Sequence, residues 1–222
     1  MMLELQAKGC HNIGFVSPTH FVPQMVRAIL IAAEKGLRLP IVYNTNAYDS
    51  VEILRLLDGI VDVYLPDLKY ADDEAGFEYS KVRGYKTFAR EAIKEMFRQT
   101  GDELTFDEIG LLQKGLVIRL LVLPNDLAGI EENLCWIKEE LSPKTAISLM
   151  AQYYATNKAA TDSRYILLSR RISEREWFNA VSLLEELGFE QGFMQEYESA
   201  SHYYRPDFTD AEKPFKDIRD FQ

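Results

Sequence analysis

The chain has 222 residues, 47% of them hydrophobic and 27% charged, which is ordinary globular usage and excludes a disordered or fibrous protein. With 35 acidic residues against 25 basic ones the net charge is −10, which argues against a protein that binds nucleic-acid phosphates. The longest apolar run, residues 116–123, is interrupted by Arg119 and falls far short of the ~20 residues that a bilayer crossing requires. No secretory or lipidation signal is visible, and Cys10 and Cys135 are too far apart to form a metal-ligand pair motif. They read as reduced thiols, so the expected location is cytoplasmic.

Along the chain, strand-like and helix-like segments alternate. Residues 1–8 read as the last turns of a helix ended by Gly9, and residues 12–16 as a short strand. Residues 21–35 follow as a helix with Val22, Met25, Val26, Ile29 and Leu30 on one face, stopped by Gly36. The next strand is 40–43, and Ser50 caps a helix through Val51, Ile53, Leu54 and Leu57 to Gly59. Residues 61–65 make a third strand and 87–99 a longer helix, with 101–114 an acidic connection or a hairpin. The run 116–123 is continuously apolar around Arg119, as befits a strand covered on both faces. Helix 130–141, strand 145–150 and helix 173–187 complete the series, with a polar stretch at 155–164.

Five strands alternating with helices predict an α/β fold with a parallel sheet wound in one hand, open or closed into a partial barrel. Residues 1–190 form that unit, and 191–222 read as an irregular C-terminal tail packed by Phe193, Tyr197, Tyr203, Tyr204 and Phe208. The sequence reads as starting inside a βα unit, which leaves the edge of strand 12–16 unpaired. In such sheets ligands bind at the rim where the strands end. Two stretches place polar residues there: Asn44-Thr45-Asn46, and Asp67-Leu68-Lys69.

The segments Gly9-Cys10-His11-Asn12-Ile13-Gly14-Phe15-Val16-Ser17-Pro18-Thr19-His20, Leu39-Pro40-Ile41-Val42-Tyr43-Asn44-Thr45-Asn46 and Val63-Tyr64-Leu65-Pro66-Asp67-Leu68-Lys69-Tyr70 resemble the radical S-adenosylmethionine proteins related to the pyruvate formate-lyase activating enzyme. Val122-Leu123-Pro124-Asn125-Asp126-Leu127-Ala128-Gly129 and Ser169-Arg170-Arg171-Ile172-Ser173 extend the likeness, which is greatest to an uncharacterised branch of that family. The resemblance implies a partial (βα) barrel whose 4Fe–4S cluster, held by a Cys-x-x-x-Cys-x-x-Cys loop, reduces S-adenosylmethionine to a 5′-deoxyadenosyl radical that abstracts hydrogen from a substrate. That substrate is a glycyl radical enzyme or a small molecule. This chain carries no such loop, so no metal ligand is assigned, and the expectation is a barrel whose first βα unit is absent.

Carried over residue by residue, the resemblance assigns cofactor contacts to Thr19 after the second barrel strand, to Asn44 and Thr45 near the ribose, and to Asp67 and Lys69 at the charged end of the cofactor. Asp67 and Lys69 fall on one side of an extended chain, where an anion and a cation together meet a zwitterion. Asn125 ends the next strand at the same rim, and Arg119, if buried, needs a carboxylate or a ligand as partner. Leu120 stands where relatives often have His, and Tyr154-Ala155 where they often have Arg-Pro. Each residue also has a plainer reading: Asn44-Thr45-Asn46 as turn chemistry, Asp67 with Lys69 as a surface ion pair worth ~0–1 kcal/mol, His11 and His20 as loop residues, and Cys10 as a small core residue. A cluster-free binding module and a non-catalytic interaction protein are the alternatives to an enzyme.

Overall fold

Six strands of the computed structural model run parallel and lie side by side in the order of the chain; residues 1–199 are described. They are β1 (Ile13–Val16), β2 (Ile41–Thr45), β3 (Val63–Pro66), β5 (Leu112–Leu121), β6 (Ala146–Met150) and β7 (Gly192–Met194), with the short β4 (Thr105–Phe106) antiparallel to the start of β5. Sequential order without a reversal is the winding of a barrel, not of a doubly wound sheet. The α/β partial-barrel expectation is met.

The helices are α1 (Met2–Ala7), α2 (Val22–Glu34), α3 (Val51–Arg55), α4 (Asp73–Ser80), α5 (Tyr85–Thr100), α6 (Ile130–Glu140), α7 (Lys158–Thr161) and α8 (Glu174–Leu187). Their ends follow the local chemistry. Ser50 accepts from Ile53 N at the start of α3, and Ser173 with Glu176 forms a full capping box at α8, which Gly188 stops in the left-handed region. The core lies between one face of the sheet and the outer helices. Tyr43, Tyr64, Leu120 and Leu149 from the strands meet Leu54, Ile93, Met96, Leu134 and Ile137 from the helices, all fully buried. Strand alternation leaves the other face half-open: in β2, Ile41, Tyr43 and Thr45 are buried while Val42 and Asn44 are only partly covered.

Four sequence expectations need correction. Strand β5 begins at Leu112 rather than at Leu116, because β4 folds back on it; of the two readings of 101–114 the hairpin holds. Helix α4 was not foreseen, because Asp73–Ser80 has little amphipathic pattern and contains Gly76; the glycine lets α4 approach α5, where a Cβ would sit 2.8 Å from Tyr85 Cβ. Strand β2 runs two residues further than expected, so Asn44 and Thr45 are strand residues and not turn residues. The segment read as irregular tail contributes β7, which docks on β6 because Gly192 permits it: a Cβ there would collide with the Ile147 carbonyl oxygen. Tyr197 lies in a short 3₁₀ turn and donates to the Ile172 carbonyl, whereas Tyr203, Tyr204 and Phe208 lie outside the described residues. No helix among the described residues is long and apolar enough to cross a membrane.

Candidate functional site

Backbone strain collects where the chain leaves the strands. Ser17 follows β1, Ala47 follows β2 and Asn125 with Asp126 follows β5, all non-glycine residues at positive φ. Such conformations cost of order 1–3 kcal/mol each and cluster at functional rims.

On the concave side of that rim a charged group assembles from three neighbouring strands. Asp67 extends β3 and forms a parallel bridge with Arg119 of β5, its N–H donating to the Thr45 carbonyl and Leu68 N–H to the Arg119 carbonyl. This register sets the two side chains facing each other. Arg119 Nη2 lies 2.6 Å from Asp67 Oδ1 and donates to Asn44 Oδ1 on β2 at 2.7 Å. Lys69 Nζ donates to the other carboxylate oxygen, Asp67 Oδ2, at 2.7 Å. One carboxylate is thus shared by two cations, and the carboxylate is the most covered of the three: side-chain exposure is 17% for Asp67, 25% for Arg119 and 39% for Lys69.

Two polar atoms in this group are left over. Among the described residues, Arg119 Nε is buried without an acceptor, and Asp67 Oδ1, although close to the guanidinium, makes no well-aligned hydrogen bond. Beside them lies a cleft of about 160 Å³ lined by Asp67, Lys69, Arg119, Leu121, Met150 and Gln152. Gln195, just beyond β7, tightens its far wall by donating to Gln152 and accepting from Ala151 N–H. Clefts of about 190 and 210 Å³ run along α8, but carboxylates are the charged groups that line them. The rim cleft holds both signs.

The expected site residues separate into three places. Asn44, Asp67 and Lys69 come together as described. Thr19 and Thr45 turn away from the concave side and bond to Asp49, a buried carboxylate that accepts from Thr19 Oγ1 (2.7 Å), Thr45 Oγ1 (2.5 Å) and the Tyr43 hydroxyl (3.0 Å). Burial, with Asp49 adding to it, pushes the Tyr43 phenol well above its ordinary value. Asn125 stands apart: its N–H donates to Glu176, its amide nitrogen to the Leu167 carbonyl, and its amide oxygen accepts from Arg170. Leu120 is fully buried on the helix-facing side.

Two supporting residues were missed from sequence. Asp49 was one, and nothing in the pattern marks it beyond its place two residues before a helix. Tyr85 at the start of α5 was the other: its hydroxyl accepts from Lys69 N–H (2.9 Å) and lies 2.8 Å from the Asp67 carbonyl oxygen and 3.0 Å from that of Asn46. Desolvation raises its phenol pKa strongly, so it stays a neutral brace. Arg119 was legible, since a lone arginine in an apolar strand demands a partner, and the partner is Asp67.

No grouping of three metal-binding side chains occurs among the described residues. Cys10 precedes β1, at the end of the strand opposite the rim, and Cys135 lies on α6; both thiols are free.

No family model matches the chain. Over 177 residues it is 28% identical to an uncharacterised protein of Methanocaldococcus jannaschii, an alignment that takes in 79% of this chain and 46% of that protein. The chain therefore spans about half the length of the curated relative it matches. Among solved structures it is similar to a domain of pyruvate-formate lyase-activating enzyme from Bacteroides vulgatus, with a TM-score of 0.59 at 13% identity over 83% of this chain and 99% of that domain. What they share is the fold. The fold expected from the sequence resemblance is met.

Proposed function

We propose that this chain is the cofactor-holding barrel of a radical S-adenosylmethionine protein of the activating-enzyme type, and that the rim of β2, β3 and β5 takes the methionyl end of S-adenosylmethionine. The observation that carries this reading is the single carboxylate shared by two cations beside an open cleft. A zwitterion exchanges with such a group at no net change of charge: its ammonium takes the place of a cation on Asp67, and its carboxylate takes the cation released. Arg119 Nε and Asp67 Oδ1 are capacity left unused among the described residues, and a buried polar atom without a partner costs about 1–3 kcal/mol until one arrives. The cleft is smaller than the ~300 Å³ usual for a whole small molecule, which suits one end of a larger ligand.

The residues do not fit a 4Fe–4S cluster. Clusters require converging thiolates, and the two cysteines of this chain lie far from the rim, one before β1 and one on an outer helix. Reductive cleavage of the cofactor, with a glycyl radical enzyme or a small molecule as hydrogen donor, would need ligands that these residues do not supply. The function proposed for the chain itself is therefore binding, in the cytoplasm, where its thiols stay reduced. The same observation favours a second reading, a cluster-free module for S-adenosylmethionine or a nucleotide.

Calorimetric titration tests the reading without iron. S-adenosylmethionine and S-adenosylhomocysteine, which share the aminoacyl end, are expected to bind, and 5′-methylthioadenosine, which lacks it, is not. Asp67→Asn or Lys69→Met should weaken binding by at least about tenfold, or 1.4 kcal/mol. Equal affinity for methylthioadenosine, or no effect of Asp67→Asn, would refute the assignment.

A further inference from the structure

Two stretches of this acidic chain carry basic residues and no acid: residues 79–90, with Lys81, Arg83, Lys86 and Arg90, and residues 163–173, with Arg164, Arg170 and Arg171. Distant in sequence, they meet in the fold. The rings of Tyr79 and Tyr165 are 6.4 Å apart, and Lys81 Nζ stands over both the Phe77 and Tyr165 rings, at 5.7 and 5.8 Å. The Arg83 guanidinium lies 4.9 Å from the Phe77 centroid. The result is a surface of interleaved cations and aromatic rings with exposed apolar neighbours, Ile166 at 64% and Leu167 at 47%.

This surface borders the rim. Tyr48, from the loop after β2, donates to the Arg83 carbonyl at 3.1 Å and stacks on Tyr85, the ring that braces Asp67 and Lys69. On the other flank Arg171 lies 5.2 Å over the ring of Tyr154, two residues past Gln152 of the cleft.

The cations differ in what they already hold. Lys86 and Arg90 pair with Glu132, Arg164 with Asp162 and Arg170 with Glu176. Lys81 instead gives its ammonium to the Glu78 carbonyl, and among the described residues Arg83 and Arg171 enter no ion pair. Cations held against rings are ordered before any partner arrives, so less conformational entropy is lost on binding. Tyr and Arg are also the residue types that carry most interface energy.

We infer that this surface docks an acidic segment of a partner polypeptide, one that carries an aromatic or aliphatic anchor, alongside the rim. The net charge of −10 opposes densely charged polyanions at long range, whereas three separated cations set among apolar groups match a short peptide with spaced carboxylates. The inference goes beyond the cofactor reading and stands independently of what fills the cleft.

The test is fluorescence anisotropy at low ionic strength with the full chain and a labelled peptide of Glu-Phe-Glu-Gly repeats. Binding is expected, and the triple variant Lys81→Glu, Arg83→Glu, Arg171→Glu should weaken it by at least about tenfold. The variant Arg27→Glu, Lys35→Glu, which reverses charges at α2, should leave it unchanged. The triple variant should also keep the wild-type melting curve and S-adenosylmethionine isotherm, which separates docking from folding and from cofactor binding. No binding by the wild type, an equal loss in the α2 variant, or tighter binding of phosphatidylserine vesicles or an oligothymidine than of the peptide would overturn the proposal.

Discussion

Replacing Asp67 by Asn keeps the shape of the side chain and removes the charge on which Arg119 and Lys69 converge. At an effective permittivity of about 20, a pair at 2.6 Å attracts by about 6 kcal/mol. Desolvation of the two largely covered groups consumes most of that, because Arg119 Nε has already surrendered its water without an acceptor among the described residues. A net loss of about 1–2 kcal/mol is expected for Asp67→Asn, and a similar loss for Arg119→Met, which leaves Asn44 Oδ1 without its donor and Asp67 without its guanidinium counter-charge. For a chain of this size each kcal/mol lowers Tm by about 2–4 °C. The double variant leaves neither charge stranded, so it should be less destabilised than the sum of the single variants by about 1–2 kcal/mol. Urea unfolding of the four proteins at one pH, followed by circular dichroism, measures this coupling. Additivity to within about 0.5 kcal/mol would show that Asp67 and Arg119 do not act as a unit.

Three further outcomes are expected. Tyr85→Phe removes a buried hydroxyl that meets Lys69 N–H and two rim carbonyls, and should cost about 1–3 kcal/mol by chemical denaturation. Amide hydrogen exchange at Lys69 should accelerate with it. Glu176 is held far below the usual carboxylate range, first by Arg170 and then by the Ser173 and Asn125 N–H groups. Its folded pKa lies below the unfolded one, so its stabilisation is complete above pH ~4.3 and is lost as pH falls further toward the folded value. Glu176→Gln should therefore lower stability at neutral pH and flatten the acid limb of the stability profile. Gly192→Ala forces a Cβ into the Ile147 carbonyl, and should release β7 and expose the β6 amides to exchange while leaving those of β2 and β3 protected.

Alternation of strand and helix, the helix cap at Ser50 and the parallel winding were legible because they depend on local periodicity and capping chemistry. So was the pairing of Asp67 with Lys69, two residues apart on extended chain. Helix α4 escaped because its one buried residue is a glycine, chosen for the approach of α5 rather than for helix propensity. Strand β7 escaped for a related reason: three exposed residues carry no burial pattern, and only Gly192 against Ile147 lets them dock.

The sequence by itself determined that a parallel α/β sheet forms and that polar residues follow its strands, since both are written in short-range patterns of hydrophobicity. Tertiary structure alone decided which of those polar residues share a site. Strand register brought Arg119 opposite Asp67 and within reach of Asn44, across gaps of dozens of residues, while Asp49 joined Thr19 to Thr45 on the other side of the sheet. A side chain at the end of a strand faces ligand or core according to which neighbour completes its hydrogen bonds, and that neighbour is chosen by packing.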